Sequence, residues 1–109
     1  MTDLEIDKAL ALAIGWKEDA VAFHDDMWTV VVHAEPNRSW PFGWRAFSHR
    51  DWNVIGPIAE KYDCFPSKRD YGELSEWVAY ATVYGCADTP QQANTPQKAI
   101  ALAVIGALT

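Results

Sequence analysis

The sequence lacks most of the features that assign a small protein to a functional class. Its two cysteines, Cys64 and Cys86, are far apart and show no zinc-ligand spacing. We expect reduced, buried thiols, and the sequence leaves a disulfide open. No Walker loop and no GxGxxG run is present, so a standard phosphate cradle is unsupported. The longest apolar run, residues 99–108, is about half of the roughly 20 residues that span a bilayer.

Basic residues and a signal segment are also scarce or missing. Nine Lys and Arg stand against fifteen Asp and Glu, which gives a formal net charge of −6. This balance argues against direct nucleic-acid binding and favours solubility, a basic partner or mimicry of a nucleic-acid surface. Asp70, Glu73 and Glu76 are the candidate acidic contact surface. No basic segment of the signal-peptide type opens the chain, so we expect a cytoplasmic protein outside the membrane.

What the sequence does contain is tryptophan, six residues among 109. Trp40 and Trp44 lie in a predicted loop that also carries Arg38, Phe42 and Arg45. Trp and Arg are enriched at interface hot spots, and loops often carry function. These five residues are therefore the candidate binding site. The alternative is that both tryptophans fold inward as a lid over a sheet, since a long loop must bury its own aromatics.

Three helices are predicted. The first begins at Thr2, whose spacing to Glu5 is that of a capping box, and ends near Gly15. The second is capped by Ser48, runs over residues 49–62 and buries Trp52. Pro57 lies inside it, so either the helix is kinked or its regular part begins near Gly56-Pro57. The last is capped by Thr95, starts with Pro and runs to residue 108. It is so apolar that either other elements cover it on most sides or it packs against a second copy of the chain, as a homodimer.

The strands are predicted from runs of β-branched and aromatic residues. Residues 20–23 form a short strand, 27–34 the strongest one, and 76–84 a second firm one. Residues 42–47 are a strand or an extended segment. We expect a turn-rich link over 63–72, with a short strand at 64–65, and a polar loop over 85–94. This order predicts one α+β domain over residues 1–109, a small three-layer α/β/α sandwich with a short mixed or antiparallel sheet and about three helices.

Candidate catalytic and metal-binding groups match no defined motif. His24, Asp25, Asp26, His33 and His49 are metal-ligand types in no known spacing, and we interpret them as ordinary turn and surface residues. The run from Ser48 to Asp51 contains the residue types of a hydrolytic triad. Adjacent helical residues point in different directions, so Ser48 is better explained as a helix cap. No catalytic residue, metal or cofactor is predicted.

Several short motifs occur along the chain: Ile14-Gly15-Trp16, Phe47-Ser48 with the acidic helix start and tryptophan after it, Ile58-Ala59-Glu60-Lys61-Tyr62, Trp77-Val78-Ala79 and Ala99-Ile100-Ala101-Leu102-Ala103. Together they resemble the motifs of the bacteriophage ABA-sandwich domain family of small phage and prophage proteins. The resemblance implies a three-layer α/β/α domain from a phage or prophage genome, and it brings no catalytic residues. Residues 27–44 depart from the family's pattern, so any special function of this member is expected there.

Two functions from different classes follow from these observations. The first is a non-enzymatic phage accessory protein that binds a host or phage protein and inhibits or modulates it, as anti-defence and anti-CRISPR proteins do. The alternative is a small-ligand or nucleotide binder with a pocket between the sheet and the aromatic loop.

Overall fold

The computed structural model describes residues 2–24, 28–33, 44–71, 74–83, 86–87 and 90–109. Within these residues the chain forms three α-helices and eight strands. The helices are α1 (Asp3–Ala13), α2 (Trp52–Lys61) and α3 (Pro96–Leu108). The strands are β1 (Val21–His24), β2 (Thr29–Val32), β3 (Arg45–Ala46), β4 (Ser67–Tyr71), β5 (Leu74–Ala79), β6 (Thr82–Val83), β7 (Cys86–Ala87) and β8 (Gln91–Ala93).

The caps of α1 and α3 confirm the predicted starts of these helices. Thr2 Oγ1 accepts a hydrogen bond from the Glu5 amide at 3.2 Å, and Glu5 Oε1 accepts one from the Thr2 amide at 3.3 Å. Thr95 Oγ1 accepts from the Lys98 amide at 3.3 Å, and Pro96 takes the first helical position. Both caps satisfy amides that have no partner inside the helix.

The predicted start of α2 is wrong by one turn. Asp51 is the cap, and its Oδ1 accepts from the Asn53 amide at 2.9 Å. Ser48 instead closes a separate turn, since its carbonyl accepts from the Asp51 amide and its Oγ from the Arg50 amide. The later start places Trp52 in the first turn, where its side chain is 51% exposed, so its predicted burial is also wrong.

All the paired strands are antiparallel and form two small sheets and a hairpin among the described residues. The first sheet has the order β1-β2-β3, the second has β4-β5-β8, and β6 pairs with β7. The predicted α+β class is confirmed, and the strands divide between two sheets instead of gathering in one.

Strand positions in the second half of the chain differ from the prediction. The short strand expected at 64–65 lies instead at β4, and the loop expected over 85–94 contains β7 and β8. The strand expected over 76–84 is broken after Ala79. Strands β4 and β8 have polar sequences, SKRDY and QQA, because they form the two outer strands of their sheet and need to bury little.

The core lies between α3 and the elements that cover it. Helix α3 packs against α1, α2, β5 and β8 of its own chain. This packing favours the prediction that other elements cover the helix, rather than the alternative that a second copy of the chain covers it. The fully buried large aliphatic side chains are Ile6, Leu10, Ile55, Ile100 and Val104. Val30 and Val32 of β2 join the same cluster, so one core connects the first sheet with the helices.

Candidate functional site

Of the predicted aromatic loop, only the end with Trp44 and Arg45 belongs to the described residues. Arg38, Trp40 and Phe42 lie outside the described residues. Trp44 is half-buried, and its ring lies 5.3 Å from that of His33 at a tilt of 45°. Arg45 is exposed on β3, opposite Val32 of β2. Trp44 is therefore partly covered, as we expect for a tryptophan that folds inward over the sheet. Arg45 is exposed to solvent.

Arg45 also lines a cleft of about 500 Å³ that lies between β3, α2 and the end of α1. Trp16, Val54 and Ile58 supply much of its apolar lining, and Asp51 is a second charged group there. This cleft lies beside the end of the aromatic loop, where the sequence predicts a small-ligand pocket.

The predicted acidic surface is interleaved with basic residues where it is described. Asp70 is exposed on β4, Glu76 is half-buried on β5, and Glu73 lies outside the described residues. Glu76 is directly opposite Arg69 in the β4–β5 pairing. Opposite residues of antiparallel strands share a face, so this surface has mixed charge.

The most exposed aromatic side chain of the described residues is Trp28, which lies on the β1–β2 hairpin with the exposed Phe23. Trp28 is 73% exposed and Phe23 is 45% exposed. Their ring centroids are 5.8 Å apart, and the rings meet edge to face at 74°. Trp28 has a φ of 48°, in the left-handed region that costs an L-residue roughly 1–2 kcal/mol. The hairpin thus holds a strained, uncovered tryptophan against a second aromatic ring.

These two rings form one side of a cleft of about 430 Å³, which we call the aromatic cleft. Its apolar lining consists of Leu4, Val21, Ala22, Phe23, Trp28 and Val30, and the charged Glu5 and Lys8 also line it. Hydrogen bonds from the Thr2 hydroxyl and amide hold the pKa of Glu5 below its usual value, so this carboxyl is charged at neutral pH. The cleft is an apolar surface with a fixed negative charge and a lysine beside it.

A buried acid–histidine pair lies on the other side of α1. Asp7 and His49 are each 1% exposed. Asp7 Oδ1 lies 2.6 Å from His49 Nδ1 and accepts a hydrogen bond from the His49 backbone amide at 2.7 Å. The carboxylate therefore makes Nδ1 the protonated nitrogen and fixes the orientation of the ring. The structure corrects the interpretation of His33 and His49 as surface residues, since both are buried.

The remaining edge of the His49 ring faces a polar pocket of about 390 Å³, which we call the histidine pocket. Its lining residues are Asp3, His49, Arg50, Asn94, Thr95, Gln97 and Lys98. Asp3 Oδ1 is 3.8 Å from His49 Nε2, and Asp3 Oδ2 is 3.8 Å from an Arg50 guanidinium nitrogen. Thr95 is the cap of α3, so the pocket lies at the amino end of that helix. The described residues include no group of three metal-ligand side chains.

Sequence reasoning missed both Trp28 and the Asp7–His49 pair. The sequence does not determine whether Trp28 is buried or exposed, because it lies at the start of the strong strand predicted over residues 27–34. Asp7 carried a usable signal, because it shares one helical face with Ile6, Leu10 and Ala11, all of them buried. An acid on the apolar face of a helix needs a buried partner. Its partner lies 42 residues away, so the sequence could not name it.

The free thiol of Cys64 lies in the core, near the carbonyl of Ile100 at 3.9 Å. Burial, with a smaller effect of the nearby Asp63 charge, raises its pKa to about 11. A thiol is nucleophilic as the thiolate, so Cys64 is unreactive at neutral pH.

Comparison with protein-family models gives no match for this chain, and comparison with curated proteins gives none either. The resemblance to the bacteriophage ABA-sandwich domain family therefore stays a prediction. Within the described part of the chain, no helix combines the length and apolar character that a membrane span requires.

Proposed function

We propose that this chain is a non-enzymatic protein-binding module and that the aromatic cleft is its contact surface. The observation that carries the proposal is the exposed Phe23–Trp28 pair beside an apolar cleft. Tryptophans that lie in fully desolvated pockets contribute most to protein interfaces. Trp28 contributes little to the core of its own chain. A partner that covered it would gain the free energy of burying its ring.

The charge of the chain indicates which partner surface fits. The net charge of −6 favours a basic partner, because complementary potentials steer association. Glu5 places a negative charge at the cleft itself. The partner therefore presents an apolar side chain to the cleft, with Lys or Arg next to it.

The proposed biological role is that of a phage or prophage accessory protein in the cytoplasm of the host. It would bind a host or phage protein and inhibit or modulate it, and anti-defence action is one such role. The small acidic chain and the resemblance of its motifs to a phage family support this origin. The role needs no cofactor and no catalytic residue.

Affinity capture from a bacterial host lysate tests the proposal, with Trp28→Ala as the test variant. Trp52→Ala is the matched control, because the Trp52 side chain is also exposed, at 51%, and lies outside the cleft. We expect a stoichiometric protein that the unmodified chain and Trp52→Ala both retain. Trp28→Ala should weaken binding of the purified partner at least about 30-fold, the equivalent of a hot spot of roughly 2 kcal/mol.

Equal retention by Trp28→Ala and the unmodified chain would show that the cleft is not the contact. Equal losses in Trp28→Ala and Trp52→Ala would indicate nonspecific adsorption through exposed aromatics. Circular dichroism of each variant separates lost binding from lost folding.

A small-ligand binder is the second candidate function, and the cleft beside Arg45 favours it. A ligand that fills this cleft would raise the thermal midpoint of the unmodified chain, because it binds the folded state. Arg45→Ala would remove that increase, whereas Trp28→Ala would leave it unchanged.

A further inference from the structure

The histidine pocket contains a buried polar atom that has no hydrogen-bond partner among the described residues. His49 is almost fully buried, and Asp7 occupies its Nδ1. Its Nε2 makes no hydrogen bond with any described residue, since Asp3 Oδ1 at 3.8 Å is beyond hydrogen-bond range. A buried polar atom of this kind is usually satisfied by water or by a ligand.

The groups around Nε2 form a set with both signs of charge. Arg50 and Lys98 supply positive charge. The amino end of α3 adds the partial positive charge of a helix of 13 residues. Asp3 supplies a carboxylate, which accepts hydrogen bonds and repels anions. A bound group must therefore accept from the cations and donate to Asp3.

We propose that the histidine pocket binds a phosphate group, free or esterified. A phosphate that keeps one proton has oxygens that accept from Arg50 and Lys98 and a hydroxyl that donates to Asp3. Nε2 of His49 suits the same group, because it accepts from the hydroxyl when neutral and donates to an oxygen when charged. The second ionisation of phosphate esters lies near pH 6, so part of an esterified population also keeps its proton at neutral pH.

Other small anions fit the pocket less well. Sulfate and carboxylates carry no proton near pH 7, so each would meet the Asp3 carboxylate without a hydrogen bond to offer. Helix ends alone attract all these anions in a similar way. Asp3 is therefore the residue that selects phosphate over sulfate, and His49, oriented by Asp7, is a further ligand-binding residue.

Isothermal titration calorimetry with inorganic phosphate tests this site, in phosphate-free buffer at pH 7 and constant ionic strength. We expect saturable binding with one phosphate per chain and at least about tenfold weaker binding of sulfate. The double variant Arg50→Gln/Lys98→Gln should weaken phosphate binding at least about tenfold, as expected for lost charge-assisted hydrogen bonds. Arg50 is largely exposed, which limits the risk to folding.

Two further variants separate selective binding from general attraction of anions. Lys17→Gln/Lys68→Gln removes the same charge from exposed positions outside the pocket, and we expect it to keep phosphate binding. Asp3→Asn should bind sulfate nearly as well as phosphate, because the repelling carboxylate is gone. Histidine ring NMR gives an independent readout, with the His49 signals moving on phosphate addition and the His33 signals unmoved.

The proposal is overturned if phosphate gives neither saturable heat nor a His49 shift. It is also overturned if sulfate binds as tightly as phosphate to the unmodified chain, or if the control double variant loses as much affinity as Arg50→Gln/Lys98→Gln. Glycerol phosphate distinguishes the two sources. Tighter binding of this ester supports a phosphorylated ligand, and tighter binding of inorganic phosphate supports the free ion.

Discussion

The aromatic cleft and the histidine pocket use the same helix in opposite ways. Leu4 and Lys8 of α1 line the cleft, whereas Asp3 lines the pocket and Asp7 holds its histidine. Beside the pocket, Asp7 and His49 are buried and hydrogen-bonded to each other. In the cleft, apolar rings are exposed, and one of them lies on strained backbone.

The two regions differ in how much their side chains contribute to the stability of the fold. Removing one member of the buried Asp7–His49 pair leaves the other desolvated, so this pair is costly to alter. An exposed ring loses little when truncated, so the cleft can change without unfolding the chain. Measurements of the free energy of unfolding for variants of each region should therefore distinguish the two regions, and these measurements need no ligand.

The largest expected effect is that of Asp7→Ala. His49 would stay buried while its ring and its amide lost their shared acceptor. We expect a loss of about 3 kcal/mol or more in the free energy of unfolding, measured by urea denaturation. Asp3→Ala, one turn earlier on the same helix, should cost less than about 1 kcal/mol. Similar losses for the two variants would mean that the buried pair contributes no special stability.

Cys64 extends the comparison, because its burial and the nearby negative charge of Asp63 both disfavour its charged form. Its pKa is raised in the folded chain to about 11, from an ordinary value of 9.0. The neutral thiol's contribution is complete below pH 9 and is lost as the pH rises towards 11. We expect this loss to reach about 2 to 3 kcal/mol in urea denaturation between these pH values.

Cys64→Ala is the matched variant for that titration. It should start less stable at pH 8, because of the lost packing, and then lose less stability up to pH 11. Parallel curves for the two chains would contradict the assignment of the alkaline loss to this thiol.

The smallest expected effect concerns the backbone of Trp28. Trp28→Gly and Trp28→Ala both remove the ring, but only glycine adopts a φ of 48° without strain. We expect the glycine variant to be the more stable of the two by about 1 kcal/mol. At Phe65, which is exposed and is not among the described positive-φ residues, the order should reverse because glycine loses more entropy on folding. The same order at both positions would argue against strain at Trp28.

Local signals predicted the parts of the fold that local chemistry determines. The Thr2–Glu5 capping box and the Thr95-Pro96 start depend on residues within one turn, and both predictions are confirmed. Ser48 failed as a cap because Asp51, three residues later, offers an equally good side chain. The sequence contains nothing that ranks one above the other.

The candidate sites were less predictable, since they depend on contacts between distant segments. Strand β4 could not be recognised in Lys68-Arg69-Asp70, because pairing with β5 creates it. The histidine pocket joins α1, the turn before α2 and the start of α3. The exposure of Trp28 depends on where the hairpin ends relative to the core, which strand propensity does not determine.

The packing of α1 against α3 has a consequence for synthesis of the chain in the cell. About 80 residues separate the end of α1 from the start of α3. At the roughly 5 to 20 residues per second of translation, α1 precedes its main packing partner by about 4 to 16 s. During that time Ile6 and Leu10, both fully buried in the finished fold, lack the cover of α3. This apolar face is therefore open to binding by a ribosome-associated chaperone during that time.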